Sequence, residues 1–252
     1  MPEGPEVKRN GESMKDFINA TIQSITTVSG RYTRKLIENT DIPVGQKIVD
    51  IFVKGKLIVI KLDTHAILST LGMSGHWYYE VPDSKKKFIR IKIITNIGAM
   101  YFCDMRNFGT FKVVTHAEMY KKLDSLGADI LASPDAPIHF FTRIAKLGKD
   151  KYISEVLMDQ RILSGVGNYL RADILFELGI HPKKLTSSFN KGELIDIWKK
   201  CHELASESYK DGGYGYEFRV YAKSMVDNHW VESYEDNNKR MVWWSPHHQQ
   251  RI

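Results

Sequence analysis

The sequence predicts an α+β chain of two domains: an N-terminal antiparallel β-sandwich carrying one helix, then a helical domain ending in a β-hairpin. Two observations carry this. From residue 22 to 115 the chain has the texture of strands, with turn residues between apolar runs, and from 138 onward helical spacing dominates until alternation returns after 216. At 252 residues there is enough chain for two modest cores.

Taken in order, residues 3–18 read as a helix, with Val7, Met14, Phe17 and Ile18 on one side. Lys56–Leu62 is β-branched and apolar. Phe88–Thr95 alternates Ile89, Ile91 and Ile93 with Arg90 and Lys92, the period of a half-buried strand, and Ala66–Leu71, Gly98–Cys103 and Thr110–Val114 look similar. Asp41-Ile42-Pro43, Lys54-Gly55 and Pro82-Asp83-Ser84 punctuate them, and Lys85, Lys86 and Lys87 read as a solvated hairpin tip. Thr115 and Glu118 make a capping box for a helix to about 125. Pro134 and Pro137 mark an interdomain linker over 131–137. Helices follow at Ile138–Leu147 and Ile153–Met158. A third, lined by Leu170, Ile174, Leu175 and Leu178, stops at Gly179, and a fourth, capped by Asn190 and Glu193, is broken at Asp211-Gly212-Gly213. The tail forms a hairpin centred near Glu235–Asn238. The expected domains are therefore 1–130, a linker 131–137, 138–215, and a hairpin over 216–252.

The net charge of +6 leans toward a polyanionic partner, with +5 of it in residues 1–120, so any nucleic-acid face in the second half must be made by folding. Two cysteines, Cys103 and Cys201, outside any C-x-x-C pair, exclude a disulfide framework and a four-cysteine zinc site. No apolar run reaches the length of a membrane span and no secretory signal precedes residue 30, so a soluble intracellular protein is expected.

Chemistry concentrates in two stretches. Met1-Pro2-Glu3-Gly4-Pro5-Glu6 puts a small residue behind the initiator methionine, whose removal leaves Pro2 as a secondary amine. An α-amino group titrates near pH ~8 and is partly nucleophilic at neutrality. Attack on an aldehyde-like carbon gives an iminium, an electron sink for elimination, with Glu3 and Glu6 placed as acid and base. The same residues also suit an ordinary helix start. In the second stretch, Asp159 to Asp173, glycines 165 and 167 precede a helix opening at Asn168; that offers N–H donors to an anion such as a phosphate, or simply a tight turn with Asn168 as N-cap.

Together, Pro-Glu-Gly-Pro-Glu and Gln-Arg-Ile-Leu-Ser-Gly-Val-Gly-Asn-Tyr-Leu-Arg-Ala-Asp resemble the Fpg/Nei family of DNA glycosylases over the whole chain and in the expected order. The resemblance implies a β-sandwich domain, a helix–two-turn–helix domain and a small DNA-binding finger. It implies that Pro2 is the nucleophile, Glu3 the acid/base and Glu6 a helper carboxylate, with Lys56 contacting phosphate beside the lesion. Asn168, Gly165 and Gly167 fall in the DNA-binding turn, and Arg240 matches the finger arginine that grips the backbone. Met73, from Leu71–Gly75, and Arg106 and Phe108, from Asp104–Gly109, match the side chains that fill the hole left by a flipped base.

The finger departs from the family pattern. Ser245 and His248 stand where a Cys-Pro-x-Cys pair is usual, and Ser224–Glu232 holds no cysteine, so a zincless finger of an endonuclease VIII-like branch is expected. His247 and His248 are adjacent and suit chelation poorly, which makes His229, His247, His248 and Asp227 a poor metal set. Packing by Trp230, Val242, Trp243 and Trp244 is expected to replace the metal. The resemblance implies a longer lesion-capping loop at 209–219 in members that prefer 8-oxoguanine, so the short segment here suggests the Nei-like specificity for oxidised pyrimidines and ring-opened or hydantoin purines. The expectation is a bifunctional glycosylase/AP lyase acting by β,δ-elimination, needing no metal or cofactor. It acts on damaged DNA, duplex or single-stranded, as a monomer located with the DNA. The alternative is a damaged-DNA binder without catalysis.

Overall fold

The computed structural model of the protein describes residues 1–32, 43–132, 137–147, 150–212 and 215–250. The chain divides into two compact units, Met1–Pro2 with Glu6–Asp124, and Glu3–Pro5 with Ser125–Ile252.

The first unit is built on two four-stranded antiparallel sheets. One runs β1 (Ile22–Thr27), β6 (Ile89–Thr95), β7 (Gly98–Asp104), β5 (Gly75–Tyr78); the other runs β2 (Ile48–Lys54), β3 (Leu57–Leu62), β4 (His65–Thr70), β8 (Thr110–Thr115). Alternation sets the inward faces: Ile91 pairs with Phe102 and Ile93 with Met100, and all four are buried with Ile22, Ile51, Ile58, Ile60 and Trp77. The indole of Trp77 donates to Ser69 at 3.0 Å, satisfying the one polar group of an otherwise apolar ring.

Two expectations change here. The first helix, α1, runs only over Gly4–Glu12, followed by a 3-10 turn at Lys15–Phe17 and a left-handed Asn19 (φ 76°). Ser13 turns its hydroxyl back to the Asn10 carbonyl (2.9 Å), and the tighter turn still buries Met14 and Phe17. The lysine run is not a hairpin tip. Asp83–Phe88 is an exposed 3-10 helix joining β5 to β6, and β7 lies between those two strands. Alternation shows which face a strand buries but not which strand lies beside it. The capping box is as expected: Thr115 N–H and Glu118 Oε2 meet at 2.9 Å at the start of α2 (His116–Ser125).

The second unit packs α3 (Pro137–Ala145), α4 (Ile153–Met158), α5 (Asn168–Glu177) and α6 (Lys191–Lys210) around Phe140, Val156, Leu170, Ile174, Leu175 and Trp198. Asn190 and Glu193 form the reciprocal cap on α6 at 3.0 and 2.9 Å. Gly179, at φ 65°, ends α5: its amide donates to the Phe176 carbonyl, and the amide of Ile180 after it donates to the Leu175 carbonyl. Two short hairpins follow: β9 (Met225–Val226) with β10 (His229–Trp230), and β11 (Glu232–Glu235) with β12 (Met241–Trp244). Asp41, Ile42, Pro134 and Gly213, which the sequence offers as breaks, lie outside the described residues. No described helix is long and apolar enough to cross a membrane.

Candidate active site

The turn before α5 is shaped by Gln160. Its amide donates to the carbonyls of Met158 and Val166 at 3.1 and 2.9 Å, and its oxygen accepts from Gly165 N–H at 3.0 Å. Gly165 sits at φ 109°, and its carbonyl accepts from Gly4 N–H at 2.8 Å. The chain's start is thus stitched to the start of α5. The N-cap of that helix is Gly167 rather than Asn168. The anion at its N-terminus is the chain's own: the Glu3 carboxylate, buried, accepts from the amides of Gly167 (2.7 Å), Tyr169 (2.9 Å) and Leu170 (3.3 Å). A Cβ on residue 167 would stand 2.2 Å from Glu3 Cδ, so only glycine leaves space for the carboxylate.

These bonds fix Glu3 beside its covalent neighbour Pro2, which is half-buried behind an exposed Met1. Glu6 is half-buried and paired with Arg9 at 3.4 Å. Lys56 follows Gly55 (φ 59°) at the turn from β2 to β3 and is half-buried.

Downstream on α5, Arg171 and Asp173 are both fully buried. Asp173 accepts from the amides of Val220 and Tyr221 (3.0 and 3.2 Å) and from Tyr216 Oη (3.1 Å), fixing the chain that leads into the hairpins. Burial raises the Asp173 carboxyl above the usual range and pushes the Tyr216 hydroxyl up as well. Arg171 reaches the other side of the finger. Its Nη1 pairs with Asp236 at 2.7 Å, and its Nη2 donates to the Met241 carbonyl at 2.8 Å and to Asn168 Oδ1. Asp236 in turn accepts from the amides of Asn238 (2.9 Å) and Arg240 (3.0 Å), closing the turn from which Arg240 projects exposed.

The finger's packing is only partly as expected. Val242 is buried, Trp243 and Trp244 are half-buried against Tyr221 and His181, but Trp230 is 72% exposed. It lies on a two-residue strand, His229–Trp230, both of whose residues are exposed. His248 pairs with Asp227 at 2.9 Å, and the rings of His229 and His247 stack at 3.4 Å. Ser245 is buried and its amide is taken by Gln249 Oε1 at 2.7 Å. Among the described residues no group of three or more His, Cys, Asp or Glu is arranged for a metal.

In the first unit, Met73 (40% exposed), Arg106 and Phe108 (52% exposed) stand out from two neighbouring turns. Their shared base is Asp104, buried. Its Oδ1 accepts from Ser74 Oγ (2.6 Å) and Arg106 N–H (3.2 Å), and its Oδ2 from Gly109 N–H (2.8 Å) and Tyr32 Oη (3.0 Å). Burial, with the Asp104 charge, drives the Tyr32 hydroxyl well above its ordinary value. Gly72, at φ 60°, lets its turn touch the Phe108–Gly109 backbone, where a Cβ would come within 2.5 Å. The Arg106 guanidinium lies 5.2 Å over the Phe108 ring. Large apolar side chains presented to solvent on a pinned base suit insertion into a partner.

Sequence reasoning passed over Asp104, Arg171, Asp173 and Asp236. Arg171 and Asp173 carried one signal: charges within the otherwise apolar run from Tyr169 to Phe176.

A β-sandwich unit joined to a helical unit, with a glycine-opened helix start gripping a carboxylate from the chain's beginning, defines a helix–two-turn–helix protein. Residues 1–111 match the family description "Formamidopyrimidine-DNA glycosylase N-terminal domain", and residues 126–220 match "Formamidopyrimidine-DNA glycosylase H2TH domain". A formamidopyrimidine-DNA glycosylase of Oceanobacillus iheyensis is 30% identical over 221 residues, covering 84% of this chain and 78% of the relative. One from Acinetobacter baylyi is 26% identical, covering 90% and 83%. Among solved structures, Lactococcus lactis Fpg bound to DNA with an AP site superposes with a TM-score of 0.82 at 21% identity, covering 99% of this chain and 100% of that one. Thermus thermophilus MutM (Fpg) gives 0.83 at 20%, covering 100% of each. At such identity the structures show the fold. The family rests on the sequence relatives: the chain belongs to the Fpg/Nei family of DNA glycosylases.

Proposed function

We propose that the protein is a bifunctional DNA glycosylase and AP lyase that removes oxidised bases through a Schiff base on Pro2. Once Met1 is removed, the Pro2 nitrogen attacks C1′. The new N–C1′ bond forms as the glycosidic bond breaks, and the base leaves with that electron pair and takes up a proton. The Glu3 carboxylate takes the proton shed by the Pro2 nitrogen and passes it to O4′ as the C1′–O4′ bond opens, giving the iminium. Loss of a C2′ proton then expels the 3′ phosphate, and a second elimination expels the 5′ phosphate. The observation that carries this reading is the Glu3 carboxylate, fixed by three backbone amides one residue from Pro2. A carboxylate held in one orientation needs little reorganisation during proton transfer.

Asn168 and Lys56 serve the DNA backbone in this reading, Gly165 and Gly167 shape the turn that presents Asn168, and Arg240 grips the backbone from a zincless finger. Met73, Arg106 and Phe108 fill the space of the flipped nucleotide, where a guanidinium bonds the orphaned base and an aromatic ring wedges the stack. Oxidised pyrimidines and ring-opened or hydantoin purines are the proposed substrates, argued from the short 209–219 segment. Solved complexes of Lactococcus lactis Fpg hold an oxidised pyrimidine and a Fapy-dG in DNA. The domains act as 1–130, 138–215 and the 216–252 finger.

Borohydride trapping on a duplex containing thymine glycol or an abasic site tests the reading. A covalent adduct lost in Pro2→Ala and sharply reduced in Glu3→Gln is expected; wild-type protein with a mature Pro2 terminus that never traps refutes it.

A further inference from the structure

The buried pair Arg171–Asp236 serves no step of the proposed chemistry, yet it joins two residues read as contacts to the DNA backbone, Asn168 and Arg240. Each side chain is almost fully enclosed, with 0% and 3% of its surface exposed. A lone buried charge is costly and a buried pair is at best weakly stabilising, so such a pair is better explained by geometry than by stability. Its geometry is specific. Arg171 carries donors only, so the Asn168 atom facing it has to be the amide oxygen. That fixes the flip of Asn168 and leaves its NH2 to donate to an acceptor such as a phosphate oxygen. At the other end of the pair, Asp236 Oδ2 holds Arg171 while Oδ1 takes the amides of Asn238 and Arg240. The Asp236 amide donates to the Arg240 carbonyl at 2.9 Å, and Lys239 is held at φ 56°, so the five-residue turn is bonded on both sides. Arg171 also holds the Met241 carbonyl immediately after Arg240.

We propose that Arg171 and Asp236 are positioning residues that set Asn168 and Arg240 as one phosphate clamp, doing through a buried ion pair what cysteine ligands on zinc do for a metal-bearing finger. The proposal rests on the reading of Arg240 and Asn168 as backbone contacts. The finger holds no cysteine, and the turn bearing Arg240 is anchored from the helix that bears Asn168.

The test is DNA affinity by fluorescence anisotropy, on a duplex with a tetrahydrofuran abasic analogue, at several salt concentrations. Arg240→Ala is expected to weaken binding about tenfold and to lower the salt slope by about one. If it does neither, the reading of Arg240 fails and the clamp with it. Asp236→Asn removes a negative charge, which by simple electrostatics would tighten binding. The clamp demands the opposite: a loss of about tenfold with the same drop in salt slope. In the Asp236→Asn/Arg240→Ala double variant the loss should stay within about twofold of Arg240→Ala alone, because both changes remove one contact. Arg171→Lys, which keeps the charge but not the fork, should fail to rescue. Additive losses, or tighter binding by Asp236→Asn, overturn the proposal while leaving the Arg240 reading intact. Should Asp236→Asn not fold, the apolar pair Arg171→Met/Asp236→Leu decides: folded protein binding like Arg240→Ala supports the clamp, and wild-type affinity overturns it. If neither variant folds, the pair is a scaffold for the whole unit and the positioning claim is overturned.

Discussion

Gly167→Ala is the most informative single change. Residue 167 has φ −128° and ψ −155°, which alanine adopts without strain, so the added methyl acts only through space. That space is the Glu3 carboxyl: the new Cβ would lie 2.2 Å from Cδ and 2.3 Å from Oε1. The carboxylate has to move, and the three amide bonds it accepts are lost or lengthened. A hydrogen bond to a charged group contributes about 1.5–3 kcal/mol, and water replaces part of it, so a loss of about 3 kcal/mol is expected. For a chain of this size that is a fall in melting temperature of roughly 6–12 °C. Misplacing an acid/base by about 1 Å costs a rate factor on the order of 100. Melting followed by circular dichroism reads the first effect, and a time course of borohydride trapping on abasic-site duplex reads the second. Glu3→Gln, which keeps the shape but turns an amide NH2 toward backbone N–H donors, should trap as poorly and also melt several degrees lower. Gly167→Ala protein that melts within 2 °C of wild type and traps at the same rate refutes the claim that this glycine makes room for the acid/base.

Phe108→Ala should leave stability within about 0.5 kcal/mol, because the ring is exposed, yet weaken binding to lesion duplex about tenfold and single-stranded DNA hardly at all. Equal losses on both substrates would count against a wedge. Asp104→Asn puts an amide NH2 against hydroxyl and backbone donors and should cost about 2–3 kcal/mol, read as a lower urea midpoint; an unchanged midpoint would remove Asp104 as the base of both turns. Trp230→Ala should leave the melting temperature unchanged, and a fall of several degrees would restore it to the finger's packing.

Local signals were legible and distant partners were not. Thr115 with Glu118 and Asn190 with Glu193 announce their helices within four residues, and the structure has both. Leu170, Ile174 and Leu175 announce a buried face by spacing alone. Glu3 was read as chemistry, but its amide partners lie 164 to 167 residues away, so nothing in the sequence shows that it occupies the helix start offered to an outside anion. Trp230 looks like core by residue type, yet it stands in solvent on a two-residue strand, a placement that residue type does not show. Asp104 and Asp236 look like ordinary surface turn residues. Their burial follows from donors brought to them by the fold: Tyr32 lies 72 residues from Asp104, and Arg171 lies 65 from Asp236.

Those two aspartates solve one problem in the same way. An exposed side chain on a loose turn loses binding free energy when the turn orders, at about 1–2 kcal/mol per backbone residue fixed. Asp104 takes the amides of Arg106 and Gly109, flanking Phe108; Asp236 takes those of Asn238 and Arg240. Each carboxylate is itself fixed from beneath, by Tyr32 and Ser74 in one case and by Arg171 in the other. With two amides pinned at each turn, about 2–4 kcal/mol of ordering is settled during folding rather than on contact with DNA. The side chains best suited to touch a nucleic acid can then stand in solvent without being flexible, and each turn's rigidity depends on a residue that need not touch DNA at all.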